Sequence, residues 1–137
     1  MLLAAALLLL GQESVSPGPS VASVLNGCWE GHDHAGMSAC VEQRAKAAGS
    51  SLAQAEKLAS DAIRASVDEP EFPGYRSDAL AALRRSSAAF VKYVDDECGY
   101  EASLAVKGNG SEDVRLACQV VLKEERSARL KISKPVP

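Results

Sequence analysis

Hydrophobic positions recur at helical spacing in three stretches of the chain. In the first, Met37, Val41, Ala45, Ala48, Leu52, Ala55, Ala59 and Ile63 alternate steps of four and three, which puts them on one stripe of an α-helix and predicts a core-facing surface. Gly49-Ser50-Ser51 falls inside that stretch. Glycine in a helix interior costs about 1 kcal/mol relative to alanine, so this is where the helix would kink or split. Pro70, Pro73 and Gly74 end the pattern and make Asp68 to Gly74 a connector. The second stretch is expected to start at Ser77, an N-cap with Asp78 just inside. It carries Leu80, Leu83, Ser87, Phe90 or Val91, Val94 and Cys98 inward and ends at Gly99. Gly108-Asn109-Gly110 signals a turn, after which Ser111 would cap a third helix with Glu112 and Asp113 in its first turn, favourable beside the helix dipole. Val114, Cys118, Val121 and Leu122 would face inward. The pattern weakens near Glu125, and Lys131, Lys134 and Pro135 suit a C-terminal end.

Composition supports a helical reading. The 137 residues have room for one domain, and their 47% hydrophobic content is ample for a core. Much of that content is Ala and Leu, while aromatics are 4%, which favours packed helices over a sheet. The expected fold is all-α: a small antiparallel bundle of three main helices, the first of them open to splitting. A net charge of -3, with Lys and Arg interspersed among acids, argues against nucleic acid as a partner.

The first ten residues, Met1 to Leu10, are Leu and Ala without a polar break, and a Gly/Ser/Pro-rich stretch follows from Gly11 to Ser23. This is the pattern of a signal-peptide core with its downstream region, although no Lys or Arg precedes it. It falls well short of the roughly 20 residues a membrane-spanning helix needs, so no stable membrane span is expected. A cut after Ala22, with Ser20 and Ala22 as the small residues, would divide the chain into a leader, 1–22, and one helical domain, 23–137. The competing reading is a buried N-terminal helix. Leu25-Asn26-Gly27-Cys28 faintly resembles a lipoprotein cleavage box, but Asn26 fits poorly and the apolar run lies too far upstream, so a lipid anchor is not expected.

Export alters the reading of the four cysteines, because disulfides persist in oxidising compartments and an even count in a small exported chain reads as a framework. Three pairings are possible. Pairing neighbours, Cys28 with Cys40 and Cys98 with Cys118, closes two local loops and is the expected one. Zinc is disfavoured, since no close Cys-x-x-Cys pair is present. With Cys98 ending one helix and Cys118 about two turns into the next, the segment from Gly99 to Gly110 would have to fold back along the third helix as a pinned loop, a candidate recognition element.

Candidates for catalysis are few. His32 and His34, the only histidines, sit in Gly31-His32-Asp33-His34 and could hold a metal with Glu30 or Asp33, but solvated loop histidines are the plainer reading. No nucleophile elbow, phosphate-cradling glycine loop or Cys-x-x-Cys redox pair is present, so neither an enzyme nor a cofactor is expected. Trp29 and Tyr93 are expected to be packing residues. Asp95, Asp96, Glu97 and Glu101 cluster where the second helix meets its loop and are the candidate surface for a basic partner; the bland alternative is a solvated face.

Ser86-Ser87-Ala88-Ala89-Phe90-Val91-Lys92-Tyr93-Val94-Asp95-Asp96-Glu97-Cys98 resembles the segment of LprI-type lysozyme inhibitor domains in which an aromatic, a Lys-Tyr pair, an acidic stretch and a cysteine close a helix. The similarity continues through the glycines at 108–110, Cys118, Glu125-Arg126 and Arg129-Leu130, and upstream Met37-Ser38-Ala39-Cys40 resembles the segment before the family's first long helix. Two positions depart: Phe90 stands where the family usually has Trp, and Val94 where it usually has Arg. The resemblance implies a helical, disulfide-bonded envelope domain, some of whose relatives inhibit lysozyme. Two classes of function follow. One is an exported, periplasmic or secreted, binding protein that occludes a lysozyme and protects peptidoglycan; the other is a structural or adaptor protein of the envelope that ignores lysozyme.

Overall fold

The computed structural model describes residues 18–68, 70–105 and 110–133. Met1 to Leu10, the Gly108-Asn109 turn and Pro135 lie outside the described residues. Four helices follow one another: α1 (Val21–Trp29), α2 (His34–Ala65), α3 (Tyr75–Leu104) and α4 (Ser111–Ile132). The fold is all-α, and both expected disulfides are present, Cys28–Cys40 and Cys98–Cys118.

Helix α4 is the centre of the arrangement. It packs against α1, α2 and α3, while α2 and α3 touch each other less. The main core joins Val24 and Cys28 of α1, Met37, Val41, Ala45 and Ala48 of α2, and Ala117 and Val120 of α4. A smaller core surrounds the second disulfide, with Val94 between Phe90 and Leu122. Val94 thus fills apolar space. All the inward positions expected on α2 from Met37 to Ala55 are buried, whereas Ala59 and Ile63 are only partly covered.

The structure corrects several boundaries. Helix α2 runs unbroken through Gly49-Ser50-Ser51. Ala48 and Leu52 on either side are buried, and this packing outweighs a glycine penalty of about 1 kcal/mol. Helix α3 begins two residues before Ser77, and its N-cap is Gly74. The Ser77 hydroxyl donates to the Gly74 carbonyl oxygen at 2.8 Å instead of capping. Gly74 has φ +91°, a left-handed conformation that a Cβ disfavours. Gly74→Ala should therefore lower stability by about 1 kcal/mol, seen as a lower midpoint in urea with an unchanged slope.

At its other end α3 passes through Gly99 and continues to Leu104, so the connection to α4 is half the expected length, and it is α3 itself that packs against α4. Ser111 is the first residue of α4, and the cap is Gly110. The inward surface of α4 is also wider than one stripe. Ala117, Cys118 and Val120 are buried, Val121 and Leu122 pack partly against the two cores, and Val114 is half-buried. A helix with neighbours on three sides must bury more than one face.

Helix α1 was not expected among the main elements. Ser20 caps it in a reciprocal capping box, with the Ser20 amide donating to Ser23 Oγ at 2.8 Å and the Ser23 amide to Ser20 Oγ at 3.1 Å. Val21 packs against both cores. A cut after Ala22 would remove this cap and that contact. The box-like segment Leu25 to Cys28 lies within the helix, and the Cys28 sulfur is bonded to Cys40.

Candidate functional site

The acidic residues at 95–97 and 101 all lie on the C-terminal half of α3. Successive helical residues turn by about 100°, so the four do not form one patch. Glu97 and Glu101, four apart, share a stripe; Asp96 borders it, and Asp95 turns to the opposite side. Asp95 lines a small groove of about 140 Å³ with Leu52, Val94, Gln119 and Lys123. Asp96 accepts a hydrogen bond from Lys92 Nζ at 2.7 Å. That bond, reinforced by the charges of Asp96 and then Asp95, holds the Lys92 ammonium above its ordinary pKa.

The stripe of Glu97 and Glu101 contains more than acids. Tyr93, Glu97, Tyr100, Glu101 and Leu104 follow at i, i+4, i+7, i+8 and i+11, within about 100° of arc. Tyr93 is 49% exposed, Tyr100 58% and Leu104 56%. Tyr93 is thus not a core residue, and Trp29 is also exposed, its ring edge-on to His34 at 6.2 Å. A helix that stops at Gly99 omits Tyr100 and Leu104, although their helical spacing from Tyr93 marks them as its continuation. The result is a ridge of two exposed tyrosines and an exposed leucine interleaved with two half-buried glutamates. It can offer apolar area, hydroxyl hydrogen bonds and negative charge together.

Beside the Tyr93 end of this ridge, one polar cluster ties three helices together. Arg126 of α4 donates from Nε to Glu56 Oε1 of α2 at 3.3 Å, and from its terminal nitrogens to Ser86 Oγ at 3.2 Å and Ser87 Oγ at 3.1 Å on α3. The Ser87 hydroxyl donates to Glu56 Oε1 at 2.7 Å. The Arg126 guanidinium also lies 4.8 Å from the ring centroid of Phe90. Nearer the disulfides, buried Asp113 accepts from Ser38 Oγ at 3.0 Å and joins α4 to α2. These groups tie α4 to α2 and α3.

The histidine segment is arranged for local structure. Asp33 caps α2 by accepting from the Gly36 amide at 2.8 Å, and His32 Nδ1 lies 3.0 Å from the Glu30 carbonyl oxygen. Among the described residues no group of three His, Cys, Asp or Glu side chains is placed to hold a metal ion. None of the described helices is long and apolar enough to cross a membrane.

Comparison with known proteins gives one match. The family described as Lysozyme inhibitor LprI matches residues 28–130, well over half of the chain, from the first cysteine to the last turn of α4. No curated protein and no solved structure matches the chain. The matched span holds all four cysteines, the ridge on α3 and the Arg126 cluster, and on that match the chain belongs to the LprI family of lysozyme inhibitors.

Proposed function

We propose that this protein is exported to the cell envelope or beyond, where it occludes the substrate cleft of a lysozyme and so protects peptidoglycan, and that it meets the enzyme through the acidic half of α3. The observation that carries the reading is membership of an inhibitor family. Two disulfides agree with an oxidising compartment. For the contact itself, Asp95, Asp96, Glu97 and Glu101 supply charge that draws a basic enzyme, and Tyr93 and Tyr100 supply the amphipathic rings that dominate many protein interfaces. Residues 1–22 are the proposed leader. N-terminal sequencing of the secreted chain reads whether processing spares Ser20 and Val21.

The test is a lysozyme turbidity assay. Wild-type protein should inhibit at micromolar concentration, less strongly as salt rises, because exposed charges are screened beyond about 8 Å at physiological ionic strength. Changing Asp95, Asp96, Glu97 and Glu101 together to Asn or Gln should raise the concentration for half-inhibition about tenfold, the equivalent of about 1.4 kcal/mol. A wild type inactive on every lysozyme would remove the function and leave the envelope adaptor in its place. A quadruple variant as potent as wild type would remove only the site.

A further inference from the structure

The N-terminal half of α3 carries a second exposed surface with a different design. Phe72 and Pro73 of the connector, with Tyr75, Asp78, Ala79, Ala82 and Arg85, line a shallow open groove of about 580 Å³. Phe72 is 68% exposed, and Ala82 and Ala89 also face solvent. Opposite charges stand on either side of Ala82, Asp78 four residues before it and Arg85 three after. Neither belongs to an ion pair among the described residues, although seven other pairs form there. This end of the molecule has no core of its own, since no described residue between Ala55 and Val94 is buried.

We propose that this groove is an interface between two copies of the chain, with the two α3 helices antiparallel about a two-fold axis close to Ala82. An isologous contact requires a surface complementary to itself under that rotation. Here the rotation brings Asp78 of one copy beside Arg85 of the other, twice over, and lays Tyr75 against Ala89. Alanine at the crossing lets the helices approach to the 8–10 Å of packed pairs. The mirrored charges are what select a second copy over an unrelated protein, which would need no such symmetry. A helical seam of about 21 Å, from Tyr75 to Ala89 at 1.5 Å per residue, lies at the small end of specific interfaces, so the dimer forms reversibly in the micromolar range. The ridge from Tyr93 to Leu104 stays outside the seam.

Sedimentation equilibrium over a concentration series reads the association. Wild type should rise from one to two protomer masses, and Asp78→Arg or Arg85→Asp alone should weaken association at least tenfold by setting like charges together. An equimolar mixture of the two single variants, and the double variant D78R/R85D, should associate as wild type does. A wild type that stays at one protomer mass at the highest concentration overturns the proposal. So do single variants that associate normally, or a mixture that does not recover. Ala82→Glu, a second disruption at the exposed centre, guards against a folding defect at either charge. Lysozyme inhibition should be unchanged in every variant, which separates a failure here from a failure of the inhibitor reading.

Discussion

Replacing both members of each disulfide with alanine should leave a chain that no longer melts cooperatively above 37 °C. The bridges close separations of 12 and 20 residues, and restricting the unfolded chain over loops of that size stabilises by about 3 kcal/mol each. Together they approach the whole stability of many domains, which is about 5–15 kcal/mol. Cys98–Cys118 should matter more. It anchors α3, whose buried residues are few, to the central helix, and Val94 packs beside it. The pair Cys98→Ala and Cys118→Ala should lower the melting temperature by on the order of 10 °C, followed by circular dichroism at 222 nm. A fall below about 3 °C would mean that helix packing alone holds α3.

Arg126→Ala should give the largest loss of any single surface-reaching side chain, about 2 kcal/mol in urea unfolding. The Arg126 side chain is 14% exposed, so its charge is largely withdrawn from water and depends on Glu56, Ser86, Ser87 and the Phe90 ring. Removing it leaves a partly covered Glu56 carboxylate with the Ser87 hydroxyl but no counter-charge, which costs more than the ion pair is worth in isolation. Arg126→Lys should recover little, since one ammonium cannot serve three acceptors on two helices with a planar fork. In a double-mutant cycle with Glu56→Gln, a coupling near 1 kcal/mol is expected. Additive losses would show that Arg126 acts through packing on Phe90 and not through the carboxylate.

Long-range arrangement was harder to read from the chain than its periodic elements. The stripe from Met37 to Ala55 was legible because burial against α4 imposes the helical period directly, and the cysteine pairing followed from loop length. Helix α1 was hidden by a Gly/Ser/Pro-rich approach that reads as leader sequence, although the Ser20–Ser23 capping box was present in the letters. The continuation of α3 past Gly99 was missed for an energetic reason. One glycine imposes a local cost of about 1 kcal/mol, and favourable context on both sides, here the bridge at Cys98 and the helix-forming Glu101, Ala102 and Leu104, overrides it. The centrality of α4 is written in no single helix, because it depends on which faces its neighbours present. The candidate site was half legible. A run of consecutive acids suggests a patch, but the turn of the helix separates neighbours and unites residues four apart, so Glu97 and Glu101 belong together while Asp95 stands elsewhere.

The two bridges also determine which backbone breaks the molecule could survive. Cys28–Cys40 spans the turn between α1 and α2, and Cys98–Cys118 spans that between α3 and α4, so a protease cutting either turn releases nothing. Of the three connections between the described helices, that between α2 and α3 alone is crossed by no covalent tie. A cut there divides the chain into two stapled halves, α1 with α2 and α3 with α4, joined mainly by α4 against α1 and α2 and to a lesser extent by α3 against α2. Such halves are candidates for reassembly after separate expression, and the prolines at 70 and 73 sit where resistance to cleavage protects the whole.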